Sequence, residues 1–308
     1  MSKTSFVLAA LTAVAVPLAT AHADTKALTA AKANLPDGAN VIVGMNVASI
    51  TGSKLFQTMW PVLLAKAGDA REGVDLAKTA CKIDVLTAIT DVVVAVDKAN
   101  EKGAVFIGVK GIDQAKLESC VKSIGAAKKK PVPTFAKIGN VIEVTPEVKG
   151  KDKKYYAWIG ADVIAIATEG DKDSLAKWTG GKGAFSKTSL GALVAKATTS
   201  GAAWGATTQA NTLQPGVDMK SGYGWMTMDK GTLNAELHAT MGDAKSATST
   251  ADMANKQITA IKGSGQIPPT VATMLGNVKV TAAGSDVVVK AGMNEKDISG
   301  LLGLLLKM

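Results

Sequence analysis

The chain has 308 residues, 47% hydrophobic and only 4% aromatic, and its 35 lysines and arginines outweigh 26 acidic residues to give a formal charge of +9. Arg71 is the only arginine, so the planar fork of donors that reads bases and clamps phosphates is all but missing, which argues against specific nucleic-acid binding. Lysines spread one by one leave a weak, salt-sensitive attraction to anionic surfaces.

The first residues read as a secretory signal. Lys3 supplies the positive end, Phe6 to Ala19 is an apolar run, and Ala21-His22-Ala23 is a cleavage site of the A-x-A type. The run is shorter than the roughly 20 residues that span a bilayer. Cleavage after Ala23 sends a chain beginning at Asp24 to the periplasm or the medium. The removed segment takes His22 with it and leaves His238 as the sole histidine.

A first strand is expected at 40–47, followed by a helical insertion at about 53–80 with Leu55, Phe56, Met59, Val62 and Leu63 on a broad apolar face. A second strand is expected at 91–97, and a turn at Lys102-Gly103 leads to its hairpin partner. The helix that follows carries Leu117, Cys120, Val121 and Ile124 on one face, and Cys81 shares a face with Val74 and Ala77. Both thiols therefore point inward, and an oxidising compartment favours a Cys81–Cys120 bridge over two buried free thiols. The lysine runs 128–130 and 149–154 adjoin Pro131, Pro133 and Gly150 and read as loops. A hairpin turning at Gly160 and a helix capped by Asp171 close this part, and 171–199 forms a connection hinged at Gly180 to Gly183.

The remainder repeats the order. Trp204 sits in a first strand, 209–221 is a loop rich in Asn, Gln, Pro and Gly, and 223–229 is a second strand. A turn at Lys230-Gly231 leads to a third strand, then a helix with a narrow stripe of Ala247, Ala251, Ala254, Ile258 and Ile261. A hairpin at Gly284 and a helix capped by Asn294 follow, ending in Leu301, Leu302, Leu304, Leu305 and Leu306, expected to dock on the body of the protein.

Two phrases carry the duplication. KGAVFIGVKGIDQA (102–115) matches KGTLNAELHATMGDA (230–244), and GADVIAIATEGDKDSL (160–175) matches GSDVVVKAGMNEKDIS (284–299) in the same order. They predict an α+β fold of two tandem hairpin–helix–hairpin units, 24–180 and 181–308, with antiparallel sheets and helices on one face. The ANVIVGMNVASITGSKLF opening (39–56), the ACKIDVLTAITDVVVAVD stretch (80–97) and the Lys-Gly phrases resemble secreted bacterial proteins of unknown function built from repeated hairpin–helix units. That resemblance implies export and supplies no catalytic residues.

Chemistry is sparse. Ser119–Lys122 and Ser174–Lys177 have Ser-x-x-Lys spacing, but the companion Lys-Thr-Gly of the penicillin-binding enzymes is missing. Gly181-Lys182-Gly183 and Gly263-Ser264-Gly265 lack phosphate-loop spacing. His238 lies in an alternating strand pattern, and Asp162 and Asp286 beside tight glycines read as turn residues. No catalytic residue, metal site or cofactor is indicated. One candidate binding feature stands out: Trp204, Tyr223 and Trp225 would form an aromatic platform if their strands pair, with Gly222 and Gly224 on the other face. The sequence thus reads as an exported, non-catalytic binding or interaction protein for a small apolar ligand, a sugar or a protein partner. A carrier of lipid, with its pocket around the 53–66 helix, is the alternative, and a hydrolase is the remaining enzymatic reading.

Overall fold

The first helix, α1 (Lys26–Asn34), is alanine-rich, and both of its ends draw on distant parts of the chain. Thr25 makes no side-chain cap. Instead the Ala27 N–H donates to the carboxylate of Asp91 at 2.6 Å, satisfying one of the orphan donors of a helix start. At the other end the Gly181 and Gly183 N–H groups donate to Asn34 O and Ala33 O at 2.8 and 2.9 Å. A Cβ at Gly181 would collide with the Asn34 and Leu35 carbonyls, so only glycine fits. The stretch expected to be a hinge is a C-terminal cap for α1. These are features of a computed structural model that describes residues 24–300 apart from 37, 67, 148–151, 215–216, 230, 295–296 and 299. The predicted signal and the C-terminal leucine run lie outside the described residues.

After β1 (Val41–Met45) come α2 (Val47–Gly52), α3 (Lys54–Lys66), α4 (Asp69–Ala80) and α5 (Val85–Ala88). The predicted single helical insertion is therefore broken, at Ser53 and again at Gly68 with its positive φ. The hairpin β2 (Ile89–Asp97) and β3 (Lys102–Val109) leads to α6 (Gln114–Ala127), whose Asp113 cap accepts from Lys116 N at 2.7 Å. Lys102 and Gly103 lie within β3, and the turn sits at 98–101. Then follow β4 (Thr134–Ile138), β5 (Val141–Thr145), β6 (Lys154–Ile159) and β7 (Val163–Ala167). The β4–β5 hairpin lies within 24–180 but is extra to the predicted hairpin–helix–hairpin order.

The connection is helical: α7 (Lys172–Trp178), a short 3-10 turn (Phe185–Lys187) and α8 (Ser189–Val194). The second half contains β8 (Ala203–Thr207), β9 (Asn211–Gln214), β10 (Val217–Asp229) and β11 (Thr232–Met241). Part of the predicted 209–221 loop is thus strand. α9 (Ala244–Gly263), α10 (Pro269–Gly276), β12 (Lys279–Ala283) and β13 (Asp286–Asn294) complete the described order. The Asp243 cap of α9 accepts from Ser246 N at 2.7 Å, as Asp113 does for α6.

All thirteen strands join one antiparallel sheet, so the fold is α+β. Its order is β12-β13-β11-β10-β8-β1-β2-β3-β7-β6-β5-β4, with β9 on β10. Outward from β1 the strands run β1-β2-β3-β7-β6; outward from β8 they run β8-β10-β11-β13-β12. The two halves meet where β1 pairs antiparallel with β8, Gly44 opposite Trp204 and Val43 opposite Gly205. Gly160 turns the β6–β7 hairpin and Gly284 the β12–β13 hairpin, both with φ of 61°.

Helices lie on both faces, not one. α1, α7 and α8 bury Leu28, Leu175, Trp178, Leu190 and Leu193 against Ile42, Val93, Phe106, Ala165 and Trp204, the largest core. Among the described residues the opposite face is covered only toward its two ends. α9 presses Ala247 and Ala251 on Val280 and Val287, the close approach that small residues permit. Leu117 of α6 packs near Ile142, Tyr156 and Ile164. Cys81, at the end of α4, is bridged to Cys120 of α6, which fastens the α2–α5 insertion to the sheet, as the sequence predicts.

Candidate functional site

Between α6 and α9 the second face of the sheet is open among the described residues. Register defines a row across it: Ile166, Val105, Val94, Val43, Gly205, Gly224, Leu237 and Val289 are successive cross-strand partners. Val43 is 45% and Leu237 54% exposed, an unusual state for large apolar residues in central strands. The break in the row is chemical. Gly205 and Gly224 stand opposite each other, so two adjacent strands carry no side chain, and Gly222 lies one pleat along β10. The walls, Val41 and Val43 on β1 and Leu237 and Ala239 on β11, belong to strands three spacings apart, about 14 Å. Leu237 leans over Gly224, where a Cβ would also meet Glu236 O at 2.6 Å. The result is a slot of about 410 Å³, apolar but for Thr207 and backbone, bordered by Met219, Val287 and Val289.

Further along the same face come Met45 and Met226, both partly exposed. Beyond them a separate cleft of about 510 Å³ lies between Ser49–Leu55 at the α2–α3 junction and Met228, Gly231 and Leu233 at the β10–β11 tip. This is the space beside the start of the 53–66 helix in which the sequence reading located a carrier's pocket. Phe56 and Trp60 of α3 stack at 5.2 Å.

The predicted aromatic residues occupy the other side of the sheet. Trp204 is opposite Trp225 in register, but at 3% exposure it belongs to the core beneath α8, its ring filling the space that a Cβ at Gly44 would need. It offers no open surface. Tyr223 and Trp225 are partly buried, and His238 stacks against both, 4.5 Å from Tyr223 and 5.7 Å from Trp225, with interplanar angles of 7° and 22°. Lys196 lies 5.8 Å over the Tyr223 ring. His238 Nε2 is 2.9 Å from Glu236 Oε1, and Lys290 is 3.0 Å from the other oxygen. Burial acts to raise the Glu236 pKa, and the hydrogen bonds from Lys290 and His238 outweigh it, so the carboxyl lies below its ordinary value. Burial first, then the charges of Asp286 and Glu236, raise Tyr223.

The remaining predicted residues are structural in position. Asp162 pairs with Lys26, and Asp286 accepts the Thr240 hydroxyl at 2.7 Å. Ser174 donates its N–H to the Asp171 cap. Among the described residues no group of three or more His, Cys, Asp or Glu is arranged to hold a metal ion, and no helix is long and apolar enough to cross a membrane. The sequence reading missed Val43, Gly205 and Leu237. The available signal was the Gly222/Gly224 alternation, which set glycines behind Tyr223 and Trp225.

The fold and the slot define the class: an α+β protein with one broad antiparallel sheet, helices on both faces and an apolar trough left open. No protein-family model matches the chain, and no curated protein does. Among solved structures, crystal form I of TP0453 is similar, with a TM-score of 0.50 at 8% identity over 93% of this chain and 99% of that one. Crystal form III of TP0453 gives 0.49 at 8% identity, over 88% of this chain and 96% of that one. At that identity the likeness shows the fold alone.

Proposed function

We propose that the chain is an exported, non-catalytic binding protein that holds the hydrocarbon part of an apolar ligand, a single acyl chain, in the slot over Gly205 and Gly224. The observation that carries this reading is the facing pair of side-chain-free positions between apolar walls. Glycine in a strand interior forfeits packing and backbone entropy, and a site where another molecule approaches closely explains why it stands there. Each methylene removed from water contributes about 0.8 kcal/mol, from which the cost of immobilising the chain is subtracted. The slot has almost no polar wall, so the ligand's polar end remains at the solvent edge.

Export is supported by the Lys3, Phe6–Ala19 and Ala21-His22-Ala23 pattern and by the Cys81–Cys120 bridge, which suits an oxidising compartment. The matching order of strands on the two sides of β1–β8 supports reading the halves as copies of one unit, with the slot beside their junction.

The test is extraction of the exported protein into organic solvent, followed by mass spectrometry of the extract. Recovery of a fatty acid or phospholipid in proportion to protein is the expected result. A clean extract, with no uptake of lipid when vesicles are supplied, would refute the reading.

A further inference from the structure

The slot leaves unexplained a second cleft, on the other face of the sheet and of opposite character. It encloses about 400 Å³ and is lined by Trp225, Thr227, Asn234, Glu236 and Lys290, with Gly292 in its floor. The Trp225 ring lies nearly parallel to those of His238 and Tyr223, at 5.7 and 6.2 Å, and lines this cleft. Residues 225 and 227 alternate with Gly224 and Met226, so the cleft and the slot lie back to back across β10.

We propose that this cleft binds a saccharide, its ring stacked on Trp225. Three features point to that class. An indole presents a flat apolar surface that suits the C–H face of a pyranose, while the surrounding groups are polar. Asn234 and Thr227 each donate and accept, Glu236 accepts and Lys290 donates, which matches hydroxyls that need both kinds of partner. Lys290 and Glu236 already pair at 3.0 Å, and Asn277 and Lys279 add further donors to the lining. Gly292 has no side chain to occupy the floor, and a Cβ there would approach Asn234 Oδ1 at 3.4 Å. A convergent set of polar groups around one aromatic wall is a common composition for a small-molecule site. Nothing in this cleft depends on the slot, and the two ligands differ in chemistry.

The test uses the full mature chain and four probes: the β-1,4-linked glucose tetramer, the α-1,4-linked glucose tetramer, the β-1,4-linked N-acetylglucosamine tetramer, and adenosine monophosphate as a stacking ligand of another class. Saturation-transfer NMR followed by calorimetry measures binding to the unaltered protein and to Trp225→Ala and Asn234→Ala. Asn234 is exposed, so its replacement keeps the fold if the tryptophan variant does not. At least one tetrasaccharide is expected to bind, with affinity falling about tenfold or more in either variant. No binding by any tetrasaccharide at millimolar concentration overturns the proposal. So does binding that Asn234→Ala leaves unchanged, or binding of the nucleotide alone.

Discussion

Gly205 and Gly224 face each other on adjacent strands, and the two apolar walls over them, Val43 and Leu237, are among the most exposed large hydrophobic residues described. A row of apolar side chains therefore runs across the sheet and stops where a ligand would lie. The two glycines are not equivalent. A Cβ on Gly224 would overlap Leu237 and press on the Glu236 carbonyl, whereas one on Gly205 would meet Ile42 O and Val43 Cγ2 at 3.4 and 3.5 Å, ordinary contact.

Leu237→Asp places a charge on the slot wall at a position 54% exposed. Its unfolding free energy should change by no more than about 0.5 kcal/mol, as for other surface substitutions. Binding of an apolar probe should fall severalfold. Chemical denaturation and probe titration on the same sample separate the two effects, and equal binding by both proteins would argue against the wall assignment.

The bridge between Cys81 and Cys120 closes a loop with a sequence separation of 39. On the chain-entropy estimate it stabilises the fold by about 4 kcal/mol. Intact-mass analysis of the exported protein should find no alkylated cysteine until reductant is added. Cys120→Ala should lower the denaturation midpoint and increase hydrogen exchange first in α4, which is tied to α6 by the bridge.

Asp91 is 2% exposed and accepts both the Ala27 N–H at 2.6 Å and the Thr90 hydroxyl at 2.7 Å. Asp91→Ala strands those donors at a cost of about 1–3 kcal/mol. Hydrogen exchange should quicken across Ala27 to Ala31 before it does in the strands beneath. Unchanged protection there would show that α1 is held by its apolar face alone.

Asp171 and Asp243 each cap a helix, and hydrogen bonds from Ser174 and Ser246 hold their pKa values below the ordinary 3.8. A lowered carboxyl pKa contributes stability above the unfolded value that is lost as pH falls through the folded one. Both caps should hold at pH 5 and weaken only below about 3.8. Circular dichroism through that range should show acid-dependent helix loss that Asp243→Asn reduces.

What was legible in the sequence was local. Asp171 announces its helix because a cap and its helix are neighbours in the chain, and the Gly160 and Gly284 turns do the same for hairpins. α1 was invisible, because its start is closed by Asp91 from β2 and its end by Gly181 and Gly183. The choice of helical face also escaped, since α1 carries no signal of its own and α7 and α8 lie in the 171–199 connection, although the three cover the largest core. Trp204 stands opposite Trp225 in register, but its burial depends on α8 lying above it. The slot escaped because Gly205 acquires its meaning only from its register with Gly224.

Palmitate titration tests the central claim most directly, read by displacement of a fluorescent fatty-acid analogue from the unaltered protein and from Gly205→Leu. A Cβ there meets only ordinary contacts, so a leucine should enter the slot with melting behaviour retained. The account predicts one palmitate per chain for the unaltered protein and affinity reduced about tenfold or more, at least 1.4 kcal/mol, for the variant. Equal affinity in a folded Gly205→Leu protein, or no palmitate binding by the unaltered chain, would contradict it.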